Sequence, residues 1–300
     1  MLEPQRSQKK SAENEHFDSM QLSVVIITFN EEANIGRTLQ SVQPLVADGK
    51  GEIIVVDSGS TDRTVEIAKS FGANVFVEEW KGFAAQKNSA IEKASGEWVL
   101  SLDADEELSA AMREFLLLTL FGEHKDEFTD FRGGMVFWRS NSFLGRPVRH
   151  GGFYPDPKLR LFRRGCAKFE RRLVHEDLQL SSGVEYRPSL YYEMGGPLEI
   201  IHHSYPTLSD YIEHMNRYSS LGAEMVVAKG KVRFSFNNIV LRPMFTFIYN
   251  YFFRLGFLDG REGLLLHLYH AVYVSWKYAK TWEMRNRQQE QAIVAPPKLD

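Results

Sequence analysis

The chain has 300 residues, 43% hydrophobic and 25% charged, which suits one large globular domain or one domain with appendages. A formal net charge of -3 argues against a general nucleic-acid binder, and a single cysteine, Cys166, excludes an intramolecular disulfide framework. Cys166 has no Cys or His partner at metal-site spacing and reads as a structural thiol.

Residues 1–20 are polar, with no apolar run of the kind a signal peptide needs, and are expected to form a disordered tail. LSVVIIT, from Leu22, is a β-branched run typical of a strand buried on both faces. Asn30 is a good helix N-cap, and Glu31 and Glu32 would then sit in a first turn, where carboxylates suit the helix dipole. Ile35, Leu39 and Val42 mark one apolar helical face. GEIIVVD predicts a second strand ending in the turn SGSTD, with Asp62 capping the next helix. NVFVEEW predicts a third strand, GFAAQKNSAIEKAS a third helix and EWVLSLD a fourth strand. This alternation implies βαβ units and a mainly parallel sheet.

Beyond Leu108 the pattern loosens. SAAMREFLLLTLF reads as a helix; GMVFWRS, KLRLFRR and LEIIHHS read as short strands of a mixed-sheet extension. From Leu208 the chain is helical again and rich in aromatics, and its last residues, 288–300, read as a frayed tail. No stretch reaches the roughly 18 uncharged apolar residues of a membrane-spanning helix.

Three predicted strands end in polar clusters: Thr28-Phe29-Asn30-Glu31, Asp57-Ser58-Gly59-Ser60, and Asp103-Ala104-Asp105. Ligands of open α/β sheets bind outside the carboxyl ends of strands, so the three clusters are expected to converge on one crevice. The third is the most chemical. Asp103, Asp105, Glu106 and Glu107 crowd together behind a buried strand, a costly arrangement unless a cation sits among them. Hard oxygen ligands suit Mg2+ or Mn2+, with Asp103 and Asp105 as ligands and Glu107 as a further one. Alternatively, Glu106 and Glu107 open the next helix. Neither a G-x-G-x-x-G nor a P-loop motif is present.

LSVVIITFNEE, EIIVVDSGSTDRT, GFAAQKNSAI and GEWVLSLDADEE together resemble family 2 glycosyltransferases, the inverting type with a GT-A fold. KLRLFRR, RLVHEDL, IHHSYPTLSDYIEHMNRYSSLGA and LGFLDGREG resemble the subgroup that adds sugars to the lipopolysaccharide inner core. The resemblance implies an α/β, Rossmann-like mixed sheet with a helical, aromatic-rich C-terminal extension. It implies a catalytic domain over 21–207, with a nucleotide-binding half at about 21–110 and an acceptor half at about 111–207, followed by the extension over 208–287. It assigns Thr28, Phe29, Asn30, Glu31, Asp57, Ser58, Lys87 and Asp103 to the nucleotide of a nucleotide-diphosphate sugar, uridine being the expected base. Asp105, with Asp103, would hold the metal. Where many relatives have Pro-x-Tyr-Asn this chain has Ile27-Thr28-Phe29-Asn30, and Phe29 can still stack on a base. An inverting transfer needs a general base; Glu176 in LVHEDL is the first candidate and Asp177 the second, with His175 a neighbour. His202 and His203 are adjacent on a strand, so at most one faces a common site. A catalytically inactive binding or scaffold subunit is the rival reading.

Between Arg132 and Arg172 there are eleven Lys and Arg against two acids, which suits an acceptor carrying phosphates or carboxylates. Between Lys229 and Arg287 there are ten against three, with 14 of the chain's 38 aromatics. That composition implies contact with a membrane surface, with RPMFTFIYNYFFRLGF as the docking segment. The alternative is that these aromatics form a core. The expected setting is cytoplasmic, peripheral on the inner membrane, with a glycan or lipid-linked acceptor as partner and no nucleic acid.

Overall fold

Strand β1 (Leu22–Thr28) is buried on both faces and forms the centre of the parallel half of the sheet. The computed structural model describes residues 21–122, 133–170, 178–181, 185–188, 198–230 and 234–294. β1 pairs in parallel with β2 (Gly51–Asp57) on one side and β4 (Trp98–Asp103) on the other, and β2 pairs in parallel with β3 (Asn74–Val77). Successive side chains of β1 alternate between two apolar layers, as the pleat requires. Val24 and Ile26 join Ile35, Leu39, Val42 and Leu45 of helix α1 (Ile35–Val46) and Met112, Phe115 and Leu116 of helix α4 (Ala110–Phe121). Val25 faces the other way, with Ala90 of helix α3 (Phe83–Glu92) and the neighbouring Ala94. Helix α2 (Thr64–Ser70) completes the first half.

Beyond β4 the sheet turns mixed, as expected. Strand β5 (Glu106–Leu108) leads into α4; then come β6 (Gly133–Phe143), the short β7 (Arg146–Pro147), β8 (Asp156–Arg163), the β9 (Ala167–Phe169) and β10 (Leu178–Leu180) hairpin, β11 (Glu185–Pro188) and β12 (Glu199–Tyr205). The main order is β3-β2-β1-β4-β8-β6-β12-β5, with β8 antiparallel to both β4 and β6.

Three local expectations are corrected. Asn30 does not cap α1: it takes a left-handed conformation (φ 54°) and its side-chain oxygen accepts from the Thr61 amide, so the helix starts at Ile35. NVFVEEW forms strand only to Val77, because Glu78 turns aside to Lys81, Ser89 and Lys93. Glu106 and Glu107 do not open a helix; they form β5, hydrogen-bonded to β12, and Ser109 caps α4 instead.

The extension begins with helix α5 (Leu208–Ala228), started by a Thr207–Asp210 capping box. After π-helical turns at Asn237–Leu241 and Tyr249–Phe253 around the short helix α6 (Arg242–Ile248), the long helix α7 (Gly260–Val294) runs past residue 287, where fraying was expected. α7 buries His267, Ala271, Val274, Tyr278 and Thr281, a 4-3-4-3 spacing that presents one seam to its neighbours. The extension meets the β7–β8 loop at Gly151 and Gly152, both at positive φ, where a Cβ would collide with His267 of α7 and with Arg254, which precedes α7, respectively.

That joint makes stability depend on pH. Burial lowers the pKa of His267, and burial together with His267 and Lys277 pushes His270 down to about 4. A histidine whose folded-state pKa lies below its unfolded value favours the unfolded state once it must take a proton. Stability is therefore expected to hold above pH 6.5 and to fall by roughly 3 kcal/mol from His270 alone as pH drops toward 4. Thermal melts of the wild type and His270→Phe across pH 7.5 to 4.5 test this, in roughly half-unit steps. Equal slopes for the two proteins would remove His270 as the cause.

Candidate active site

The parallel register puts Thr28 beside Asp57 and Ile27 beside Asp103, so the three polar clusters do meet at one edge of the sheet. The Asp57 carboxylate is completely buried and accepts from Thr28 Oγ1 (2.8 Å), the Gly59 and Ser60 amides (2.9 and 2.8 Å) and Ser60 Oγ (2.5 Å). Four bonds fill a carboxylate's acceptor capacity, so here Asp57 shapes the loop. Ser60 Oγ also accepts from the Asn30 amide at 2.8 Å, and Asn30 answers through Thr61. The two loops are thereby locked together, leaving Phe29 outside them, 57% exposed, as a free aromatic face. Glu31 sits nearby; burial and the Asp105 charge raise its pKa, partly offset by a hydrogen bond from Asn34.

Asp103 and Asp105 face different partners. Asp103 is held by Lys87 Nζ at 2.6 Å and by Arg160 Nη2 at 2.8 Å. Burial pushes its carboxyl up, but Lys87 and Arg160 overcome that and hold it well below the usual carboxylate range. The same Arg160 nitrogen reaches the buried Glu106 at 2.5 Å, and Arg139 joins Glu106 (3.2 Å) to Asp156 (2.7 Å). The carboxylate crowding seen in the sequence is thus answered by the chain's own cations. Asp105, in the β4–β5 turn, instead directs Oδ2 at His202 Nε2, 3.1 Å away. The other nitrogen of His202, Nδ1, lies 2.8 Å from Asn141 Oδ1 and 2.7 Å from Ser204 Oγ, which fixes the ring. His203 points to the opposite side, toward Glu107, which also lies 3.6 Å from Arg37. Glu107 is therefore not brought to Asp105.

These groups line a cavity of about 520 Å³ whose wall includes Lys87, Asp103, Asp105, Arg139, Arg160, Phe169, Leu178, His202, Tyr205, His214 and Tyr218. Thr28, Phe29, Asn30, Glu31, Asp57 and Ser58 are not part of that wall. A second cavity of about 350 Å³ shares Arg139, Lys158, His202 and Tyr205 with it and continues past Asn141, Asp156 and Phe153. Glu176 and Asp177 lie outside the described residues. Among the described residues no three His, Cys, Asp or Glu side chains gather as a ready metal cage.

Sequence reasoning counted Glu106 among the crowded acids and Arg139, Arg160 and Asp156 in the stretch facing an acceptor, but did not join the four with Asp103 into one ion-pair network. For Arg160 a signal exists: a lone cation inside the apolar run LRLF has to meet an anion if its neighbours are buried. Much of the basic stretch expected to greet an acidic acceptor is also spent internally, since Arg149 pairs with Glu199, Arg163 with Glu97 and Arg139 with Glu106 and Asp156.

A parallel nucleotide-type half, a mixed extension and an Asp-x-Asp at the junction define a GT-A-type sugar transferase. A model described as glycosyl transferase family 2 matches residues 23–152. The lipopolysaccharide core biosynthesis glycosyltransferase LpsC of Rhizobium meliloti is 31% identical over 291 residues, 93% of this chain and 96% of its own. An uncharacterized glycosyltransferase of Rickettsia typhi is 30% identical over 267 residues, 88% and 87% of the two chains. The chain belongs to glycosyltransferase family 2 and is a sugar-transferring enzyme. Among solved structures, the mannosyltransferase PcManGT from Pyrobaculum calidifontis, in complex with GDP-Man and Mn2+, aligns with a TM-score of 0.50 at 15% identity. The alignment covers 88% of this chain and 87% of that one, a likeness of fold.

Proposed function

We propose that the enzyme moves a sugar, with inversion, from a nucleotide-diphosphate donor, a uridine one by preference, to a hydroxyl of a lipopolysaccharide-core or other lipid-linked glycan. It would do so at the cytoplasmic face of the inner membrane. The observation that carries this reading is the pairing of Asp105 with His202 on the wall of a cavity that also holds Lys87. The Asp105 carboxylate is the donor that would hold a Mg2+ or Mn2+ ion together with substrate phosphates, and His202, 3.1 Å from it beside the cavity's Lys87, would orient that carboxylate or add a nitrogen donor. Asp103 fits less well, because both its oxygens are already taken by Lys87 and Arg160. Such an ion, when bound, supplies charge neutralisation for a leaving diphosphate.

The chain's own groups divide the remaining work. Lys87 stands where it can meet a phosphate oxygen, and Phe29 offers a face for the base. The stacked pair His214 and Tyr218, 4.1 Å between centroids, with Tyr205 against His214, gives the acceptor side an aromatic wall. In the transfer the acceptor oxygen bonds to the anomeric carbon while the bond from that carbon to the diphosphate oxygen breaks. The bonding pair leaves on the diphosphate, and the hydroxyl proton goes to the general base. Glu176 is the proposed base, with Asp177 the alternative. Support comes from the hairpin that brackets them: Phe169 and Leu178 are register partners in β9 and β10, and both line the cavity. The LpsC likeness supports a lipopolysaccharide-core acceptor.

Glu176→Gln should retain nucleotide-diphosphate binding and lose turnover by about 10²–10⁴-fold. Isothermal titration with UDP and Mn2+, beside a sugar-transfer assay, separates the two effects. Normal turnover in this variant would move the base away from Glu176, and Asp177→Asn would then be the variant to lose activity.

A further inference from the structure

Between Glu224 and Asp259 the chain has no acidic residue and five basic ones, Lys229, Lys231, Arg233, Arg242 and Arg254. Inside that run the helical segment is turned outward. Leu241, Met244, Phe245, Ile248 and Phe252 recur at near-helical spacing, and all five are exposed. The inward side is satisfied: Pro243 is buried, Arg242 donates to the Tyr278 hydroxyl, and Ser275 Oγ donates to the Ile239 carbonyl at 3.0 Å. Phe245, Tyr249 and Phe253 stack in a row with centroids 5.9 and 6.3 Å apart, and Phe253 is 74% exposed. A contiguous apolar stripe of this kind marks a surface that something covers.

We infer that the segment from Phe234 to Leu258 is a docking surface that lies in the headgroup region of an anionic bilayer, and that it sets the mouth of the acceptor cavity at that bilayer. Charge selects the occupant. Arg242 and Arg254 are exposed beside the stripe and no acid lies within the run, so a second copy seated there would oppose like charges. Anionic headgroups complement it, and aromatic rings suit the boundary between headgroup and acyl chain. No helix among the described residues is long and apolar enough to cross a membrane, so the segment lies on the surface.

Contact with the cavity is direct. The Arg254 carbonyl accepts from the Gly151 amide at 2.9 Å, and the Arg254 guanidinium covers Gly152 so closely that a Cβ there would lie 2.0 Å from Nη1. Gly152 and Phe153 line the smaller cavity, which reaches His202. A lipid-borne acceptor could therefore enter beside Arg254 and reach the Asp105–His202 pair while still anchored. The purpose of the surface rests on the lipid-linked acceptor proposed above; its binding to lipid does not.

Flotation of the full chain with vesicles of phosphatidylcholine alone, or with phosphatidylglycerol as roughly one lipid in three, tests the inference. The chain is expected to float with the anionic vesicles at least about tenfold better than with the neutral ones, and high salt should weaken this. The double variant Phe245→Glu/Phe253→Glu should lose that binding while its Tm and its Mn2+-dependent UDP binding stay unchanged. Equal flotation of variant and wild type would overturn the inference. So would failure to float together with a wild-type dimer in light scattering that the variant turns monomeric. Flotation without any nucleotide binding by the wild type would leave the docking surface standing and overturn the donor reading instead.

Discussion

Replacing Asp105 by alanine is expected to lower sugar transfer by about 10³-fold or more and to remove the dependence of nucleotide-diphosphate binding on Mn2+. The protein should remain folded, and the reason is local. The turn that carries Asp105 is held by its backbone: the Ala104 carbonyl accepts from Thr38 Oγ1 at 2.6 Å, and the Asp105 carbonyl accepts from the His203 amide at 3.0 Å. Removing the side chain leaves both bonds in place and takes away only the carboxylate opposite His202. Asp103→Ala is a poorer probe, because it would strand Lys87 and Arg160 without their shared anion and lose stability along with activity. Titration of UDP with Mn2+, with Mg2+ and with EDTA, on wild type and Asp105→Ala, reads the binding effect without an acceptor. Unchanged Mn2+ dependence in the variant would show that Asp105 does not hold the ion. His202→Ala should weaken the same metal-dependent step to a lesser degree, since a ring set by Asn141 and Ser204 would orient the Asp105 carboxylate or add a nitrogen donor.

The first half of the fold was legible because its periodicities are local. LSVVIIT, GEIIVVD and EWVLSLD became β1, β2 and β4 within a residue or so, and Ile35, Leu39 and Val42 buried the face they mark. The meeting of Thr28, Asp57 and Asp103 followed from the rule that parallel strands end at one edge. Contacts between distant residues were not legible. Arg160 follows Asp103 by 57 positions, and nothing in KLRLFRR says that its third residue faces Asp103 and Glu106. Asn30 misled for a related reason: its side chain caps well in isolation, but here it bridges to Thr61, a tertiary use that overrides the local preference. Glu106 is the clearest case. Clustered acids look like solvent or metal chemistry, yet this one is fully buried because Arg160 and Arg139 come from β8 and β6 to meet it.

That buried network should also be a main determinant of stability. Arg160→Met is expected to cost about 3–5 kcal/mol in urea unfolding, since it leaves Asp103 and Glu106 close together with one cation fewer. Arg160 itself is held charged: burial opposes its charge, but Glu106 and Asp103 more than compensate and raise its pKa above the usual arginine value. Without it the two carboxylates repel each other, and at least one should take up a proton at a higher pH than a free carboxyl does. A folded-state pKa raised above the unfolded value gives stability that is present at low pH and lost as pH rises. The deficit of Arg160→Met relative to wild type should therefore be largest near pH 7 and shrink toward pH 4.5. Adding Glu106→Gln to Arg160→Met should recover part of the loss, so the double variant will be more stable than the sum of the single changes implies. Strict additivity, together with a deficit that does not change with pH, would mean that Arg160 contributes through packing alone and that the crowded acids of β4 and β5 are neutralised by something else.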